Sequence, residues 1–227
     1  MTAIGDNWRA VRARVDAACE RAGRAPSDVT LIAVSKLQPA GAVGQAYAAG
    51  ARDFGENYAQ ELAAKRGEVA ADARWHFIGR LQRNKAKLVA GQVALVHAVD
   101  SVELAVELGK RAGGAVQRVL LAVNVSGEAT KTGSTTGDAS ALARAIADTA
   151  GVRLDGLMTM PPPSDDGEAS RPYFVALAEL RTRLRDELGI ALPVLSMGMS
   201  GDFEVAIACG TTHVRVGTAI FGPRPVG

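Results

Sequence analysis

Short apolar runs alternate along the chain with longer stretches in which apolar residues recur every three or four positions. The first periodic stretch, residues 6–22, places Trp8, Val11, Val15, Ala18 and Cys19 on one face and Arg9, Arg12 and Asp16 on the other, as an amphipathic helix does. Strand and helix patterns then succeed one another to the end. Strands are expected over 29–36, 52–57, 75–79, 93–99, 117–125, 154–160, 194–197 and 213–216. Helices are expected between them, over 39–49, 58–70, 84–90, 101–112, 139–150, 171–188 and 202–209. Pro39 suits a first helical turn, Gly50 and Gly113-Gly114 suit helix ends, and the prolines at 161–163 stop the sixth strand.

Nearly all of these strands are apolar on both faces, the mark of parallel strands covered by helices on one side and by a second core on the other. Eight of them, each separated from the next by a helix, predict a closed (β/α)8 TIM barrel and a single domain over residues 1–227. An open doubly wound sheet is the alternative, but such sheets carry a Gly-rich phosphate turn after the first strand, and here that turn is Leu37-Gln38-Pro39. The eighth strand runs almost to the last residue, so the amino-terminal helix is expected to cover the remaining gap in the outer ring.

Composition narrows the function. Hydrophobic residues make up 48% of 227, enough for a large core, while Lys+Arg 26 against Asp+Glu 24 gives no general pull toward nucleic acid. Cys19 and Cys209 lie in Ala-rich helical contexts and read as small hydrophobes of a reducing compartment, not as a disulfide framework. His76, His97 and His213 fall one per segment without metal-ligand spacing, which predicts three separate core or surface side chains and no metal. Residues 1–8 contain no apolar signal core, and no stretch approaches the length of a membrane span, so a soluble cytoplasmic protein is expected.

The candidate chemistry starts at Lys36, a cation at the carboxyl end of the apolar run 29–35. An ammonium against low-dielectric walls loses hydration, its pKa falls, and the neutral amine can attack a carbonyl to form a Schiff base. On a lone strand such a lysine simply snorkels to solvent. In a barrel, however, the loops at the carboxyl ends of the strands build the site, and phosphate commonly sits on those after strands seven and eight. Here these are Ser196-Met197-Gly198-Met199-Ser200-Gly201-Asp202 and Arg215-Val216-Gly217-Thr218, small-residue turns with hydroxyls. Alternation groups His213, Arg215 and Gly217 on one face of strand eight, and Ile32, Val34 and Lys36 on one face of strand one. Lys36 and Arg215 are thereby expected at the barrel mouth beside a phosphate cradle, the parts needed to hold pyridoxal 5'-phosphate. The plainer reading of Arg215 is an inward arginine packed against a barrel carboxylate.

The runs 31–36, Phe54-Gly55-Glu56-Asn57-Tyr58, Trp75-His76-Phe77-Ile78-Gly79 with Leu81-Gln82 and Asn84-Lys85, Gly156-Leu157-Met158-Thr159-Met160, the loop 196–200 and the run 214–222 together resemble the pyridoxal phosphate homeostasis protein family. The chain is also similar to the amino-terminal barrel of alanine racemases. That resemblance implies Lys36 as the Schiff-base lysine, Arg215 facing the pyridine nitrogen, and Ser196, Ser200, Gly217 and Thr218 around the phosphate. It further suggests Asn57 and His76 in the cofactor's surroundings and Met158 and Met160 near its ring, although barrel packing explains these four equally well.

An arginine opposite the pyridine nitrogen can only donate, which keeps that nitrogen unprotonated and the ring a poor electron sink. Alanine racemases use such an arginine but place a catalytic tyrosine on a second domain, whereas Tyr47, Tyr58 and Tyr173 fall on expected helices here. The expectation is therefore a monomeric, non-catalytic carrier that buffers the cofactor and supplies it to apoenzymes, with an amino-acid racemase, and a barrel for another phosphate ester, as the competing readings. The loop 126–137, with Glu128 and Lys131, reads as an exposed polar lid.

Overall fold

Alternation along the strands sorts the apolar side chains into two shells, and the sorting is visible in the structure, a computed structural model that describes residues 2–127, 133–162 and 166–223. The strands are β1 (Thr30–Val34), β2 (Asp53–Glu56), β3 (Arg74–Phe77), β4 (Leu95–Val99), β5 (Gln117–Ala122), β6 (Val152–Met158), β7 (Val194–Ser196) and β8 (His213–Val216). They pair in parallel in chain order and β8 closes on β1, forming the expected barrel. Leu31, Phe54, Trp75, Val96, Leu121 and Val214 point outward into one large core shared with the helices, while Leu95, Leu120, Met158 and Val194 form a separate cluster inside.

The helices are α1 (Ala3–Arg21), α2 (Ala40–Ala48), α3 (Ala59–Lys65), α4 (Val102–Arg111), α5 (Ala139–Ala147), α6 (Arg171–Leu188), α7 (Phe203–Ala208) and α8 (Thr218–Phe221). As expected, α1 completes the outer ring. Its Asn7 amide donates to the Ile220 carbonyl at 3.0 Å, and Arg14 pairs with Glu204 at 2.6 Å while lying 4.7 Å from the Phe203 ring centroid. It does so together with α8, a single turn after β8 for which the sequence reading left no place. The connection between β3 and β4 is a 3-10 segment, Arg83–Leu88, and not the α-helix expected at 84–90, because Gly91 in a left-handed conformation (φ 69°) stops it within two turns. Gly156 shows how tightly the barrel is closed: its φ is +158°, and a Cβ there would sit 1.8 Å from the Val194 carbonyl oxygen of the neighbouring strand.

Two registers place the site. Val34 pairs with Gly55, and Ile32 pairs with Arg215. Strand β1 stops at Val34, although the Ser35 amide still reaches the Gly55 carbonyl at 3.0 Å. Lys36 thus stands in the turn beyond the strand, level with Asn57 when the register is continued. No helix among the described residues is long and apolar enough to cross a membrane. Glu128 and Lys131 lie outside the described residues.

Candidate cofactor site at the carboxyl end of the barrel

Small side chains leave the top of the barrel unfilled. Barrels of this size normally pack their interior with layers of large residues; here Ala98 and Ala122 occupy upper inward positions. The result is a cavity of about 420 Å³ walled by Asn57, Ile78, Ala98, Ala122, Met158 and Met199, with Met160 and Arg80 at its rim. That volume lies in the range of about 300–1,000 Å³ usual for small-molecule sites.

Lys36 stands in the turn that follows β1 and is not among the residues that wall this cavity. The Ser35 carbonyl accepts from the Gln38 amide at 3.0 Å, closing a turn in which Leu37 adopts φ +62°, a conformation uncommon for a leucine. A buried knot of charge holds this turn from behind. Lys65 on α3 donates to the Ser35 carbonyl (2.8 Å), to Glu56 Oε1 (2.8 Å) and to Glu61 Oε2 (2.9 Å), and Glu61 Oε2 also accepts from the Leu37 amide (2.9 Å). The Ser35 hydroxyl adds a 2.6 Å bond to Glu56. Burial pushes the Glu56 carboxyl up, and its bonds to Lys65 and Ser35 hold it back.

On the β8 side Arg215 is 4% exposed. One guanidinium nitrogen donates to Ser196 Oγ at 2.5 Å and the other to the Thr159 carbonyl at 2.9 Å, directly beneath a cavity that Thr159 helps to line. Among the described residues it forms no ion pair, so the plainer reading, an arginine packed against a barrel carboxylate, does not hold. Desolvation pushes it down to about 10, which leaves it a cation at neutral pH.

The two loops meet above it. Gly198 has φ +94° and would place a Cβ 2.6 Å from that of Ala206, so only glycine lets the loop fold onto α7. Asp202 fixes the same loop by accepting from the Met199 amide at 2.6 Å and the Ser170 hydroxyl at 2.9 Å. The Thr218 hydroxyl donates to Ser200 Oγ at 3.3 Å, and a Cβ on Gly217 would come within 3.3 Å of the Val34 carbonyl oxygen. Ser200, Gly217 and Thr218 therefore lie close together where the two loops meet, outside the set of residues that walls the cavity.

Ser196 and His76 stand elsewhere than expected. Ser196 is fully buried, its hydroxyl taken by Arg215 and by His97 Nδ1 at 2.8 Å. His76 sits lower in the barrel, between His97 (Nδ1 to Nε2, 3.0 Å) and Asp53 (Nε2 to Oδ1, 3.1 Å). The three histidines are accordingly not scattered: their ring centroids lie 5.2 to 6.0 Å apart inside the barrel. Chain distance hid this, although alternation applied to β2, β3, β4, β7 and β8 together would have turned Asp53, His76, His97, Ser196 and Arg215 inward. Asn57 does line the cavity, and its Oδ1 is buried without a hydrogen-bond partner. Met158 is buried in the inner cluster and Met160 is 46% exposed. Tyr58, expected within a helix, is the residue before α3 and is 51% exposed beside the mouth. The Lys65, Glu56 and Glu61 knot carries no motif by which sequence alone would single it out.

Comparison with known proteins gives the family of the chain. The family described as alanine racemase, N-terminal domain, matches residues 3–225. The pyridoxal phosphate homeostasis protein of Pseudomonas aeruginosa is 46% identical over 100% of this chain and 98% of its own length, and that of Escherichia coli K12 is 41% identical over 99% and 98%. PipY of Synechococcus elongatus, solved with PLP bound, is 34% identical with a TM-score of 0.84 over 96% of this chain and 100% of its own. Alanine racemase of Corynebacterium glutamicum, at 19% identity and a TM-score of 0.72 over 99% of this chain and 62% of that one, shares the fold. The chain belongs to the pyridoxal phosphate homeostasis protein family.

Proposed function

We propose that the protein binds pyridoxal 5'-phosphate at the carboxyl end of its barrel, holds it through Lys36 as a Schiff base, and serves intracellular homeostasis of the cofactor without catalysis of its own. The observation that carries this reading is Arg215. A buried cation with no ion pair among the described residues, helped only by neutral acceptors and the more distant Asp202 carboxylate, is costly to fold around, and such a group is kept where a ligand uses it. The cofactor fits the residues present: an unpartnered buried amide oxygen on Asn57, an apolar wall of Ile78, Ala98 and Ala122, and a small-residue edge of Gly217, Thr218 and Ser200 for its phosphate. Ser196 supports the site from below by holding Arg215.

When bound, the cofactor supplies an aldehyde to an amine and a ring able to accept electrons. Arg215 weakens the second property, since a group that only donates leaves the ring nitrogen unprotonated. That favours storage over chemistry at the α carbon, and the homeostasis function of the relatives fits it. Apoenzymes are the recipients, and the chain acts as a monomer, because a closed barrel has no strand edge in need of a partner. Visible-edge absorbance that vanishes on borohydride reduction, leaving the reduced adduct on Lys36 by mass, is the expected result; a Lys36→Ala protein stays colourless.

The racemase reading retains one observation, the exposed Tyr58 in a neighbouring cavity that shares Asn57 and Arg80 with the first. Isotope exchange at the α carbon of D- or L-alanine decides it. We expect no turnover, and turnover that disappears in Tyr58→Phe would establish the racemase instead.

A further inference from the structure

Five polar side chains run through the barrel interior in one hydrogen-bonded line: Arg215 to Ser196 (2.5 Å), Ser196 to His97 (2.8 Å), His97 to His76 (3.0 Å) and His76 to Asp53 (3.1 Å). Its two ends have fixed roles. A guanidinium only donates, and an ionised carboxylate only accepts. Among the described residues Ser196 Oγ touches only Arg215 and His97. Having accepted from Arg215, its own proton must go to His97 Nδ1. His97 then donates from Nε2 to His76 Nδ1, and His76 donates from Nε2 to Asp53.

The opposite direction fails at both ends. If His97 donated to Ser196, the serine proton would have no acceptor, and His76 would need a proton on both nitrogens to satisfy His97 and Asp53 together. That second cation would have to share the single Asp53 carboxylate with Arg74, which already engages it through Nε at 2.8 Å and Nη2 at 2.5 Å, and Arg215 is a further buried cation in the same barrel. Burial and the neighbouring imidazoles also hold His97 well below the usual histidine range. His213 faces both rings at 6.0 Å and is tied to the Thr212 hydroxyl at 2.9 Å, so it stands beside the line and not in it.

We propose that Asp53, His76, His97 and Ser196 form a one-directional hydrogen-bond chain that positions the Arg215 guanidinium, with both imidazoles locked as the Nε2–H tautomer. The chain belongs to the protein without ligand. Only its use, presenting Arg215 to the cofactor's ring nitrogen, rests on the function proposed above. Asp53, at the amino-terminal end of β2, is thereby a positioning residue for a site at the opposite end of the barrel.

Nitrogen-15 spectra of histidine- and arginine-labelled protein, free of ligand at neutral pH, test this. Both His76 and His97 are expected neutral, with the proton on Nε2; an Nδ1–H tautomer at His97, or a doubly protonated His76, overturns the proposal. Asp53→Asn is expected to shift the His97 and Arg215 side-chain resonances although Asp53 touches neither. Ser196→Ala, nearly isosteric and safe to fold, is expected to broaden or move the Arg215 resonances in the free protein and to weaken pyridoxal phosphate binding about tenfold, while Ser196→Thr restores both. Unchanged Arg215 resonances in Ser196→Ala count against positioning. A wild-type protein with both tautomers in place that takes up no pyridoxal phosphate sinks the functional reading and leaves the chain supported, so the two failures are told apart.

Discussion

Lys65 Nζ donates at 2.8 Å to the backbone carbonyl of Ser35, the residue that precedes Lys36. A buried lysine therefore fixes the backbone from which the half-buried Lys36 projects. Its other two donors go to Glu56, which is 0% exposed, and to Glu61, and the second Glu56 oxygen is buried without a partner. Lys65→Met would leave the Glu56 charge uncompensated inside the protein, a change that typically costs about 3–5 kcal/mol. Urea denaturation should show a loss of that order, and adding Glu56→Gln should recover part of it. Pyridoxal phosphate loading should fall with the first change, because the turn carrying Lys36 and Leu37 loses its anchor. A loss under about 1 kcal/mol would place the pair among ordinary surface bridges.

Gly79 lies against Asn57 so closely that a Cβ would stand 2.2 Å from the Asn57 carbonyl oxygen. Space alone demands glycine here. Gly79→Ala must push away the backbone that presents Asn57 to the cavity, and overpacking of this kind costs about 1–3 kcal/mol. Titration with pyridoxal phosphate is expected to show weaker binding in step with the lost stability. An alanine protein that binds normally would mean that Asn57 has no part in the site.

What the sequence made legible follows from which physical signals are local. Strand and helix order is local, since each apolar run announces itself, and 171–188 matches α6 residue for residue because a long amphipathic stripe ends at Gly189 in a left-handed conformation. Alternation and strand number likewise fix that Lys36 follows the end of β1 and that Arg215 on β8 turns inward. The interior line was not legible. His97 and Ser196 are 99 residues apart, and β4 carries a register shift between Val96 and Val99 that turns His97 and Ala98 inward in succession. Ser196 was read from its neighbours in sequence as a loop residue, but its strand position puts it under Arg215 instead.

Arg215 forms no ion pair among the described residues, so removing its charge takes from Asp202 only a longer-range attraction. Arg215→Met keeps much of the volume and ends the desolvation of a buried cation, against which stand the two acceptors left at Ser196 and Thr159. Replacing buried charge by well-packed apolar groups is often neutral or stabilising by about 1–4 kcal/mol. The expected outcome is a protein as stable as wild type or more so, with impaired cofactor binding. Thermal unfolding and pyridoxal phosphate titration of the same sample check it, and a large loss of stability would show that Arg215 holds the barrel together.

Acid should unfold the protein through the interior histidines before it reaches the carboxylates. Burial pushes His213 down to about 3 and holds His97 well below the usual range, with His76 adding to both shifts; Arg118 and Arg215 lower His213 further, while Asp53 opposes them. Unfolded histidine titrates near 6.5. Between that value and the folded ones the unfolded chain binds protons that the folded chain refuses, so stability falls as pH is lowered, by about 1.4 kcal/mol per pH unit for each histidine. Asp53 acts lower. Although burial opposes it, the bonds from His76 and Arg74 hold its carboxyl to about 2, so its contribution is present above an ordinary value near 3.8 and is lost between there and about 2. Urea midpoints at pH 7, 6 and 5 should trace the histidine window, before the shifted glutamates with ordinary values near 4.5 add their own dependence. His213→Gln is expected to reduce the slope by one histidine's share over that window, and parallel slopes in the two proteins would show that the ring of His213 is free to take up a proton in the folded state.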